Sequence, residues 1–110
     1  MAEAKTVYKY PLRMDGPTEI ELPVALHKPV HFDIQSTEGQ VWLHSATPTL
    51  WVEQWLPEEG EEFRTEKVVF EIFGTGHHIP VGALHIGSVI DGAFVWHLYQ
   101  TSSSLPPLQI

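Results

Sequence analysis

Apolar and polar residues alternate along most of the chain, and the alternating segments are separated by turn-forming residues, the pattern of short half-buried strands. Residues 6–12 read as a first strand, closed by Met14-Asp15-Gly16-Pro17, and residues 18–22 as a second, with Ile20 and Leu22 inward between Glu19 and Glu21. Together they predict a hairpin. Val30, Phe32 and Ile34 alternate with His31, Asp33 and Gln35, and a Thr37-Glu38-Gly39-Gln40 turn leads into Val41-Trp42-Leu43-His44, a second hairpin.

Residues 45–62 fit one strand or two turns of helix, because Trp51 and Trp55 stand at i, i+4 spacing, and Pro48 and Pro57 bound either form. Residues 63–73 give the clearest strand, with Val68, Phe70 and Ile72 on one face and Lys67, Val69, Glu71 and Phe73 on the other. It runs into Gly74-Thr75-Gly76-His77-His78. Residues 83–90 and 93–99 follow as strands joined by Asp91-Gly92, a strong hairpin signal. Trp96 alternates with Phe94 and Leu98 and reads as core. The pattern predicts an all-β fold: a single small antiparallel β-sandwich or open barrel of six to seven strands. Residues 1–100 form that domain, and 101–110, Ser-rich and then Pro106-Pro107, form a flexible C-terminal tail.

The 110 residues suffice for one core, and 43% hydrophobic against 18% charged residues places the chain in the globular class. A formal charge of −8, with six Lys and Arg, excludes a non-specific binder of long nucleic acid. Residues 53–71 hold Glu53, Glu58, Glu59, Glu61, Glu62, Glu66 and Glu71, half of the fourteen acids, and read as a solvated acidic segment. Residues 72–110 hold no Lys or Arg, one acid (Asp91) and four of the seven histidines. An anion bound there must be held by backbone N–H groups, hydroxyls and imidazoles. There is no cysteine, hence no disulfide and no thiolate metal site. No apolar run reaches membrane-spanning length and the start lacks a signal-peptide pattern, so the expectation is a soluble, cytoplasmic protein with no membrane partner.

Gly74-Thr75-Gly76 lies between strands, so it matches neither the Walker pattern nor the dinucleotide fingerprint, which need a helix N-terminus. What remains is a loop whose backbone donors, with Thr75 and His77, can face one anion, or a tight turn with glycines for geometry alone. His77 and His78 are neighbours on an extended chain and point to opposite faces, so they do not share a metal. His77 with His85 or His97 has too few acids nearby, only Glu71 and Asp91, and no metal or cofactor is expected. Ser88 and residues 102–104 lack a nucleophile-elbow context, and nothing forms an ordered Ser-His-Asp set. The expectation is a binding protein, not an enzyme. Tyr8, Tyr10, Trp42, Trp51, Trp55, Trp96 and Tyr99 exceed what one small core comfortably buries, which suggests a homo-oligomer and, at Trp51 and Trp55, a ligand or docking surface.

Lys9-Tyr10-Pro11, Ile20-Glu21-Leu22-Pro23, Gly74-Thr75-Gly76-His77 with Ile79-Pro80, Ile86-Gly87 before Asp91-Gly92, and Phe94-Val95-Trp96-His97-Leu98-Tyr99 run in order along most of the chain. Together they resemble a family of small, uncharacterised phage-encoded proteins. Small phage proteins of this size often antagonise host defence, and one class sequesters cyclic-nucleotide immune signals as a sponge without cleaving them. The resemblance therefore implies a homo-oligomer in the host-cell cytoplasm that holds a cyclic di- or trinucleotide through Gly74, Thr75, Gly76 and His77. Tyr8, Lys9 or Trp51 would supply stacking or a phosphate contact. The alternatives are an acidic interaction protein that docks on a host or virion protein through Trp51 and Trp55, and a small hydrolase.

Overall fold

A computed structural model describes residues 4–36 and 46–103, and these form seven strands and no helix. The strands are β1 (Ala4–Pro11), β2 (Thr18–Pro23), β3 (His27–Ser36), β4 (Ala46–Leu56), β5 (Thr65–Gly74), β6 (Leu84–Asp91) and β7 (Phe94–Ser103). They make two antiparallel sheets, ordered β1-β4-β3 and β2-β5-β7-β6. The sheets form a small β-sandwich and not a closed barrel. Leu22, Leu50, Val52, Val68, Phe70 and Leu98 fill the space between them, with Leu12, Ile20, Phe32 and Ile72 around these.

Each sheet contributes alternate residues to that core. On β4, Leu50, Val52 and Gln54 are buried while Trp51, Glu53 and Trp55 lie half-exposed on the outer face. Period 2 therefore wins over period 3.6 in this segment, because β4 is the central strand of its sheet and is paired on both sides. On β5 the expected inner face of Val68, Phe70 and Ile72 is observed, although Phe73 is buried as well.

The predicted hairpin between the first two strands does not form: β1 pairs with β4, and β2 pairs with β5. Residues 12–17 carry the chain from one layer to the other, held by Leu12 N–H on the Pro48 carbonyl (2.8 Å) and Arg13 N–H on Thr18 Oγ1 (2.8 Å). Turn chemistry marks a change of direction, not the partner. In the second expected hairpin, β3 and β4 do pair antiparallel. The residues proposed for its return strand, Val41-Trp42-Leu43-His44, lie outside the described residues, as do 104–110. The last strand continues to Ser103, opposite Val68, so residues 101–103 belong to the sheet and not to a tail.

The β6–β7 hairpin forms with its turn one residue later than the Asp91-Gly92 signal suggests. Asp91 pairs with Phe94, which leaves Gly92 and Ala93 as the two turn residues. Gly92 alone has positive φ, +59°, the signature of a II′ turn. This turn and the end of β5 lie at the same end of their sheet, since Gly74 pairs with Trp96 near the start of β7. The candidate site is built there.

Candidate functional site

The chain leaves β5 through a type II turn. His77 N–H donates to the Gly74 carbonyl (3.1 Å), and Gly76, third of the four residues, has φ +91°. The turn is locked a second time by the Gly74 N–H, which donates to His77 Nδ1 (3.0 Å). That bond requires Nδ1 without a proton, so the neutral imidazole with hydrogen on Nε2 fits the turn. Two N–H groups of the loop are thus spent on its own geometry. The expectation that successive backbone donors face one anion must rest on Thr75 and Gly76, with the Thr75 hydroxyl and His77 Nε2–H beside them.

Gly74 is closely overlaid by two side chains. A Cβ there would lie 3.1 Å from His77 Cε1 and 3.3 Å from Trp96 Cζ3, so two rings share the volume above its α-carbon. A cleft of about 460 Å³ opens beside them, lined by Gly74, Thr75, His77 and residues 93–96. One wall is aromatic: Phe94 and Trp96 are stacked, centroids 5.7 Å apart and planes 21° from parallel. Phe94, the first residue of β7, is 62% exposed. Trp96 packs against the core as expected, and its Nε1–H is buried without a hydrogen-bond partner among the described residues. Such an orphan donor costs about 1–3 kcal/mol.

A second arrangement shares Thr75 and spreads over the outer face of the same sheet. Thr75 Oγ1 lies 3.1 Å from His97 Nε2, His97 Nδ1 lies 2.7 Å from Ser88 Oγ, and Ser88 Oγ lies 2.9 Å from His85 Nε2. Tyr99 and His85 meet edge to face, as do Phe73 and Tyr99, closing one side with rings. A neutral imidazole offers one donor and one acceptor, so the four groups can be polarised in two consistent directions. In one, Thr75 donates to His97, His97 to Ser88 and Ser88 to His85. In the other every proton is handed back, and Ser88 donates to His97 as a nucleophile donates to its base.

This array is absent from the sequence expectation because a bulge creates it. His85 pairs with Tyr99 and Gly87 with Leu98, so Ile86 is the extra residue. Under strict alternation His85 and Ser88 fall on opposite faces, and the extra residue puts them on one. Ile86-Gly87 after His85, a glycine inside a strand run, is the one sequence signal that pointed there.

The structure gathers Gly74, Thr75 and His77 around the cleft, and Gly76 shapes their turn. It does not bring the other expected residues to them. Lys9 and Trp51 are cross-strand partners on the outer face of the three-stranded sheet, where the His31 ring lies 5.0 Å from the Trp51 ring. Tyr8 lines a different cleft, with Trp55. Trp55 shares the outer face with Trp51 and has Lys5 Nζ 5.0 Å from its centroid. His77, His85 and His97 do not gather as a metal site: among the described residues no three His, Cys, Asp or Glu side chains are placed to hold one ion. No helix among them is long and apolar enough to cross a membrane.

Fold and site define a seven-stranded β-sandwich with a turn-lined, partly aromatic cleft at one end of its larger sheet. The chain belongs to the family described as a domain of unknown function, DUF7352, whose model matches residues 3–108. No curated protein and no solved structure matches it.

Proposed function

We propose that the protein binds a small anionic ligand carrying a flat ring, of the cyclic-nucleotide class, and holds it without cleaving it. The observation that supports this reading is the cleft of about 460 Å³ in which a stacked Phe94–Trp96 wall stands beside Thr75 and His77. A ring has an aromatic surface to lie on, and a phosphate has a hydroxyl and an imidazole N–H to accept from. The immune-evasion role follows from the resemblance to phage-encoded proteins, with the sequestered ligand as the defence signal. Calorimetry against cyclic di- and trinucleotides should give heat that Thr75→Val and Phe94→Ala each abolish and Lys9→Ala leaves intact. No heat with any of them overturns the reading.

The binding unit in this reading is a homo-oligomer. β6 is an outer strand of its sheet, and Val81, Leu84 and Ile90 on or just before it are exposed, an edge suited to a second copy. Sedimentation as a strict monomer at micromolar concentration would remove that part.

A hydrolase is the second reading, and the short Ser88–His97 bond favours it. Incubation with the cyclic nucleotide, heat denaturation and mass spectrometry separate the two. Intact ligand means sequestration; cleaved ligand, lost on Ser88→Ala, means hydrolysis.

A further inference from the structure

A second, open cleft of about 450 Å³ lies among β1, β4 and the β4–β5 connection, with Pro23 and Thr65 at the ends of β2 and β5 also in its lining, remote from the Gly74–His77 turn. Tyr8, Trp55 and Phe63 bring three aromatic side chains to its lining, together with Glu61 and Glu62. No Lys, Arg or His lines it. We propose that this cleft binds a small organic cation, an alkylated ammonium group on a short apolar body.

Each part of the lining has a reason to select that chemistry. Aromatic faces carry negative charge density and attract a cation whose hydration shell is weak, most of all a methylated ammonium. Apolar walls reward the body that carries the charge, and carboxylates supply a long-range attraction that a neutral ligand of the same shape does not feel. Trp55 already takes part in this interaction within the protein, with Lys5 Nζ 5.0 Å from its ring while the same ammonium pairs with Glu53 at 3.2 Å. Lys5 itself is not among the residues that line the cleft. Glu61 closes the loop by accepting from Glu58 N–H, 3.2 Å, in the turn that leads to Glu62 and Phe63.

A shape-matched pair of probes tests this: choline, and 3,3-dimethylbutan-1-ol, which replaces the charged nitrogen by carbon. Binding is followed by NMR at the Trp55 indole N–H, assigned with Trp55→Phe. Choline should shift that resonance and bind about tenfold more tightly than the alcohol, a margin within the range of a partly desolvated cation–π contact. Glu62→Gln, a change at an exposed side chain, should weaken choline severalfold and leave the alcohol unchanged. Phe63→Leu should weaken choline further, with the thermal unfolding midpoint checked for an intact fold. Equal affinity for the two probes, no binding of choline, or shifts at Trp96 in place of Trp55 would each overturn the proposal. Because this cleft shares no residue with the turn-lined one, failure here leaves the cyclic-nucleotide reading standing.

Discussion

Gly74 and Gly76 sit two residues apart and are glycines for different reasons, which makes them separable by substitution. Gly76 needs its backbone conformation: φ +91° costs an L-residue about 1–2 kcal/mol. Nothing lies within 4 Å of a Cβ added there, so backbone strain and not a clash opposes Gly76→Ala. Its urea midpoint should fall by the equivalent of about 1 kcal/mol or more. Gly74→Ala instead pushes on His77 and Trp96, so it should disturb the Gly74 N–H to His77 Nδ1 bond and blunt ligand heat. An unmoved midpoint for Gly76→Ala would contradict the type II turn. Ala25 shows the same constraint without glycine: φ +59° in the turn that carries the chain from β2 to β3, closed by Leu26 N–H on the Pro23 carbonyl. His27 Nδ1–H also donates to that carbonyl, at 2.7 Å, and this second local bond helps hold a conformation that alanine does not prefer.

Strands were legible wherever one face is buried, because burial on one side writes period 2 into the sequence. Core substitutions should follow that pattern closely. Leu50 on the central strand β4 is wholly buried, so Leu50→Ala should cost about 2–5 kcal/mol in denaturant unfolding. Ile90 on β6 is 76% exposed in the single chain, and at a concentration where the chain is monomeric Ile90→Ala should stay within about 0.5 kcal/mol. Comparable losses at both positions would mean that β6 is covered and not an edge. Pairing was less legible than strand identity. The turn before Thr18 looks like a hairpin, yet it switches layers, since Ile20 and Leu22 bury against the core from the other sheet. Of the candidate site, the turn was readable from Gly-Thr-Gly-His, because glycines and a short polar loop leave a local signature. The His97–Ser88–His85 array was not. It depends on one bulged residue, Ile86, and a bulge changes the face of every side chain on one side of it without changing composition.

Across the whole molecule the charge is distributed so that the two clefts should respond to salt in opposite directions. The chain carries a formal −8, and none of its six Lys and Arg falls in residues 72–110, which supply the turn-lined cleft. An anion entering there meets a repulsive net field and only local donors to offset it. The second cleft holds Glu61 and Glu62 in its lining, so a cation meets attraction from both the net field and those carboxylates. Raising ionic strength from about 10 mM to about 100 mM shortens the Debye length from ~30 Å to ~10 Å and removes most of the distant contribution. Added salt should therefore leave cyclic-nucleotide affinity unchanged or improve it, while choline affinity falls. Isothermal titration at both ionic strengths checks this on one sample. A nucleotide whose affinity drops steeply with salt would mean that lysines hold it. The outer face of the three-stranded sheet, where Lys5, Lys9 and Lys28 flank Trp51 and Trp55 in the strand register, would then be the place to look.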